Sequence, residues 1–163
     1  MNIALICGNN HAGVLNRVKS SVGANVDSYP NISSMVGTQK PYVYDRVVIT
    51  SQAFEKDKDS INREAKCLNS YKKNNSSCSL VFAIHDKDSN LAHALASAFA
   101  SPSCCVISIG ALGIPDLTFL MEGAISDFGS KYNVVEPIMK TRQRQHTQQV
   151  QQPTKAVVPV KKK

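Results

Sequence analysis

Asn2-Ile3-Ala4-Leu5-Ile6-Cys7-Gly8-Asn9-Asn10-His11-Ala12-Gly13-Val14-Leu15-Asn16-Arg17-Val18 is a strand pattern joined directly to a helix pattern. The apolar run that ends at Gly8 is what a short strand covered on both faces requires. From His11 the spacing changes, and Val14, Leu15, Val18 and Val22 fall on one side of a helix that Gly23 stops. A doubly covered strand followed at once by an amphipathic helix is half of a βαβ unit and predicts a parallel sheet.

The alternation continues along the chain. Residues 25–29 read as a short second strand closed by Pro30-Asn31, and residues 32–42, with Gly37 and Pro41, as an irregular link holding at most a short helix. A third strand is expected over 44–50 and a fourth over 78–84. Between them, over 57–74, Ile61, Ala65, Leu68 and Tyr71 share a helix face. That helix has Asp57 and Asp59 at its start and Lys72-Lys73 at its end, as the macrodipole prefers. A helix over 89–100 turns Leu91, Leu95 and Phe99 inward, and a fifth strand follows over 104–109. Pro115 opens a last helix to about residue 132, with Leu117, Leu120, Met121, Ala124, Ile125 and Phe128 along its apolar face. The expected fold is α/β, a doubly wound five-stranded parallel sheet of receiver or flavodoxin-like type, with strand order 2-1-3-4-5.

Charge divides the chain into two parts. The net charge is +7, from 19 basic and 12 acidic residues. Lys140, Arg142, Arg144, Lys155, Lys161, Lys162 and Lys163 lie beyond Pro137 with no acid among them, so they carry the whole excess. The expected organisation is one domain over 1–136 and a basic Gln/Pro/Lys-rich tail or linker over 137–163. The tail sustains no amphipathic period, so it is expected to be disordered. Its charges make it a candidate arm for nucleic acid or anionic membrane, although it has no aromatic residues to stack on bases.

The five cysteines are odd in number, and Cys104 and Cys105 are adjacent, which makes a poor disulfide framework. They read as small buried hydrophobes in a reducing compartment. No Cys-x-x-Cys occurs, so zinc has no support, and no metal or cofactor is expected. No apolar run is long enough to span a membrane. The N-terminus lacks the basic start and cleavage site of a signal peptide, and the expected location is the cytoplasm.

In a doubly wound sheet, ligands bind beyond the carboxyl ends of the strands. Those ends carry the candidate ligand-binding residues Asn9, Asn10, His11, Ser51, His85 and Asp86. The Gly8–Gly13 loop has glycines spaced so that backbone can approach an anion. Neither Gly-Lys-Ser/Thr nor Gly-x-Gly-x-x-Gly is present, and no Gly-x-Ser-x-Gly elbow supplies a nucleophile. His11 and His85 with Asp86 form an acid–base group only if their strands are neighbours, and the expected order sets a strand between them. No catalytic residue is assigned.

Over residues 2–132 the pattern resembles a response-regulator receiver. Receivers carry an acidic pair after strand 1, a phosphoacceptor Asp after strand 3, Ser or Thr after strand 4 and Lys after strand 5. The corresponding positions here are Cys7-Gly8-Asn9, Thr50-Ser51, His85 and Gly110-Ala111. The resemblance is therefore to a pseudo-receiver without phosphorelay chemistry. Such domains are similar to the N-terminal domains of ParA/MinD-type polar-localisation ATPases of tight-adherence pilus systems, where a linker leads on to the ATPase. The resemblance implies a non-catalytic domain that binds a protein partner or itself. Leu112, Ile114 and Phe119, within 110–128, are the candidate contact surface, since they exceed what one helix face can bury. The rival reading is a small-ligand or nucleotide-binding α/β domain using the strand-end loops. A flavodoxin-like site is poorly matched by Asn9-Asn10-His11.

Overall fold

The computed structural model describes residues 1–54 and 57–137. Its elements are β1 (Asn2–Ile6), α1 (His11–Val18), β2 (Asn25–Tyr29), α2 (Ile32–Gly37), β3 (Arg46–Thr50), α3 (Lys58–Asn74), β4 (Ser79–His85), α4 (Ser89–Ala98), β5 (Cys104–Ile109), α5 (Ile114–Glu122), α6 (Phe128–Lys131) and β6 (Asn133–Val134). Single 3-10 turns occupy Ser51–Ala53, Asp86–Asp88 and Ile125–Asp127.

The fold is α/β, with one sheet in the order β2-β1-β3-β4-β5-β6. Strands β1 to β5 pair in parallel, and β6 runs antiparallel to β5. Alternate strand residues feed two cores. Ala4, Ile6, Val47, Ile49, Leu80 and Phe82 pack with Ile32, Met35, Leu68 and Leu95 of α2, α3 and α4. Ile3, Leu5, Val48, Val81 and Ile107 pack with Val18, Leu117, Leu120 and Phe128 of α1, α5 and α6. Each inner strand thus buries both faces, which is why these runs are continuously apolar rather than alternating.

Two expectations are corrected. The sheet is six-stranded and mixed, not five-stranded and parallel. A two-residue strand has no periodicity to detect, and β6 exists because the backbone of β5 has an open edge there. The N–H of Val135 donates to Val106 O at 2.8 Å, extending that pairing by one residue. Continuing the register sets Pro137 opposite Cys104, where it has no N–H to offer, so the ladder ends.

The expected single helix over 115–132 is also broken, at Gly123. The backbone there turns extended (ψ 158°), and Arg46 crosses from β3 to cap the helix end. Its Nη1 donates to Leu120 O, Met121 O and Gly123 O at 2.7–3.1 Å. A cation on the last carbonyls satisfies acceptors that a helix end otherwise leaves open. The break lets the chain double back, so that Phe128 is fully buried and α6 leads into β6.

The opposite edge is secured by side chains. Asp27 on β2 accepts hydrogen bonds from Tyr42 Oη (2.6 Å) and Tyr44 Oη (2.7 Å). Lys40 Nζ lies 3.7 Å from its other oxygen, and the Tyr29 and Tyr44 hydroxyls are bonded to each other. This network ties the 38–45 loop against the edge strand. Burial raises the Asp27 carboxyl, but the two tyrosine hydroxyls and the Lys40 ammonium outweigh it, and its pKa lies below the usual range.

Candidate functional site

The carboxyl ends of β1, β3, β4 and β5 lie side by side, because these strands are parallel neighbours. The strand-end loops are nevertheless unequal. Between β1 and β3 the edge is closed. Gly8 has φ +85°, and a Cβ there would lie 2.8 Å from Gln52 Cβ and 2.9 Å from Gln52 O. Only glycine tolerates both this conformation and this approach. Thr50, the last residue of β3, is buried, and its hydroxyl donates to Ile6 O at 3.4 Å. Cys7 is buried too, and that burial pushes its thiol up to about 11 against a weaker opposing effect of Arg17. A thiol that stays protonated at neutral pH is no nucleophile.

Between β3, β4 and β5 the edge is open. A cavity of about 140 Å³ is lined by Ser51, Gln52, Ala83, His85, Ile109, Gly110 and Leu112. Ser51 Oγ accepts the backbone N–H of His85 at 2.7 Å, which locks the two loops together. The ring Nδ1 of His85 accepts the N–H of Lys87 at 3.1 Å. Beside the cavity, Asp86 Oδ1 accepts the Ser108 hydroxyl at 2.8 Å, while its Oδ2 lies 3.1 Å from where a Cβ on Gly110 would sit.

The candidate ligand residues therefore separate. Ser51 and His85 meet at the cavity, and Asp86 stands beside it. Asn9 and Asn10 are exposed on the β1–α1 loop. His11 turns the other way, its Nδ1 bonded to Ser28 Oγ of β2 at 2.8 Å. The acid–base pairing of His11 with His85 does not form. Gln52 and Gly110 fall at the strand ends where a ligand is expected, but they are not among the candidate ligand residues read from the sequence. Gly8 signals the approach of Gln52, since a glycine at a strand end implies a close neighbour.

The candidate contact surface separates as well. Leu112 lines the strand-end cavity, whereas Ile114 and Phe119 line a groove of about 590 Å³ with Ser21, Pro115, Thr118 and Lys131. All three are half-buried against the core, so less of them faces solvent than the sequence suggested. The Lys131 ammonium sits 4.3 Å from the centroid of the Phe119 ring, a cation–π contact that covers one side of it.

Lys140, Arg142, Arg144, Lys155, Lys161, Lys162 and Lys163 lie outside the described residues, as does the expected tail beyond Pro137. Among the described residues, no group of three or more His, Cys, Asp or Glu side chains could hold a metal ion, and no helix is long and apolar enough to cross a membrane. No protein-family model matches the chain, and no curated protein or solved structure matches it either.

Proposed function

We propose that residues 1–136 form a non-catalytic interaction domain of the pseudo-receiver kind, which docks a protein partner in the cytoplasm. The observation that supports this reading is the closed junction between β1 and β3. In a sheet wound in both directions the ligand crevice opens at such a junction. Here Gly8 lies on Gln52, and the Thr50 hydroxyl is turned onto Ile6 O. The receiver's metal-holding acids and phosphoacceptor are replaced by Cys7-Gly8-Asn9 and Thr50-Ser51. The cavity that is left, about 140 Å³, is well below the roughly 300 Å³ at which cofactor pockets begin.

The docking face on this reading is the groove beside α5, where Ile114, Pro115 and Phe119 would take an apolar side chain of the partner and Lys131 would stand at the rim. Incubation of the full chain with acetyl phosphate and Mg²⁺, followed by intact mass measurement, is expected to give no adduct. A stable phosphorylated species overturns the reading. Sedimentation over a range of protein concentrations tells a foreign partner from a second copy of the chain.

A further inference from the structure

The open half of the carboxyl edge has a chemistry that the interaction reading does not use. In the neutral His85 ring, Nδ1 accepts the N–H of Lys87, and a backbone N–H can only donate. Nδ1 must therefore carry the lone pair, and the ring proton lies on Nε2. Ser51 Oγ likewise accepts, from the N–H of His85, so its own proton is left to donate. Neither proton has an acceptor among the described residues. Ser51 and His85 line the same cavity, so each brings one side-chain donor of fixed polarity to it. The rest of the lining is Gln52, Gly110 and an aliphatic wall of Ala83, Ile109 and Leu112.

We propose that this cavity is a binding site for one short aliphatic carboxylate. Two donors match the two oxygens of a carboxylate, and the aliphatic wall matches a short hydrocarbon end. The volume, about 140 Å³, is below the roughly 300 Å³ at which cofactor pockets begin, too small to enclose a nucleotide or a flavin. The absence of lysine and arginine from the lining among the described residues selects a single charge over a phosphate dianion. The Asp86 carboxylate beside Gly110 opposes any anion, and a dianion about twice as strongly as a single charge, so it too favours the monoanion of the two. The cavity and the α5 groove are separate surfaces, so failure at one leaves the other standing.

The test is a titration of the full chain followed by amide correlation spectra, with acetate, propionate, butyrate, inorganic phosphate and chloride at matched ionic strength. Saturable shifts are expected at Ser51, Gln52, His85 and Gly110 with the carboxylates, tighter for butyrate than for acetate. His85→Asn retains a side-chain oxygen to accept the Lys87 N–H and withdraws the Nε2 donor. It is expected to weaken carboxylate binding about tenfold, as loss of one hydrogen bond to a charged group does. Ser51→Ala withdraws the second donor together with the acceptor of the His85 N–H, so its effect counts against the second donor only where the His85 amide shows that the two loops remain joined. Shifts that never saturate, phosphate binding as tightly as carboxylate, equal shifts with chloride, or unweakened binding by both variants would overturn the site.

Discussion

The two edges of the sheet are protected by different means. At β2 the protection comes from side chains: Asp27 gathers Tyr42, Tyr44 and Lys40 and holds a loop over the edge. At β5 it comes from backbone, a two-residue antiparallel strand that Pro137 brings to an end. An open edge invites pairing with other chains, so both devices answer the same hazard. The side-chain device draws on residues about 15 apart in sequence and depends on the ionised Asp27 carboxylate. The backbone device depends on where the chain has been delivered, and that is set by the break after α5 and the burial of Phe128.

The largest expected effect follows from that dependence. Phe128 is fully buried and packs against Phe119 and Tyr132. Phe128→Ala should destabilise the domain by about 3–5 kcal/mol, as large-to-small changes in tight cores do. It should also loosen β6, read in urea unfolding and in faster exchange of the Val135 amide. Normal protection of Val135 in the variant would show that β6 is held without its anchor.

A smaller effect is expected at the other edge. Asp27→Asn removes the charged acceptor of two tyrosine hydroxyls and should cost about 1–3 kcal/mol near neutral pH. The sign of the pH dependence follows from the lowered carboxyl pKa. A group depressed in the folded state contributes stability above its unfolded pKa, about 3.9, and loses it as pH falls through the folded value. The gap between the natural protein and the variant should therefore narrow in acid, in urea midpoints measured from pH 7 down to pH 3. A gap that stays constant with pH would mean that the network is held by shape and not by charge.

The smallest effect tests where the domain stops. Because Pro137 has no N–H with which to continue the ladder, removal of residues 138–163 should leave the free energy of urea unfolding unchanged within about 0.5 kcal/mol. A larger loss would place part of that segment in the fold and make the β5 edge more than a two-residue affair.

The five parallel strands and most helices were legible because each is a local pattern. Ile3 to Ile6, Val47 to Ile49 and Leu80 to Ile84 are apolar without interruption, which only a doubly covered strand requires. The candidate site was half legible. Ser51 and His85 fall at strand ends, where a parallel sheet gathers polar residues, and they do meet. The misplacement of His11 was not readable, because its partner Ser28 lies 17 residues away on an edge strand. The contact of Gln52 with Gly8 was hidden because it joins two loops with no shared spacing.

What the sequence by itself determined is therefore the five parallel strands and most of the helices, the glycines that end them and the charge boundary near Pro137, all of which depend on neighbours within a few residues. What only the tertiary structure decided is the break at Gly123, the sixth strand, the Asp27 network, and which strand-end residues face one another. Each of these rests on groups far apart in the chain, such as Arg46 reaching Leu120 O across 74 residues. Hydrogen-bonding and burial requirements of that kind are met only once the sheet has brought the partners together, so no local pattern announces them.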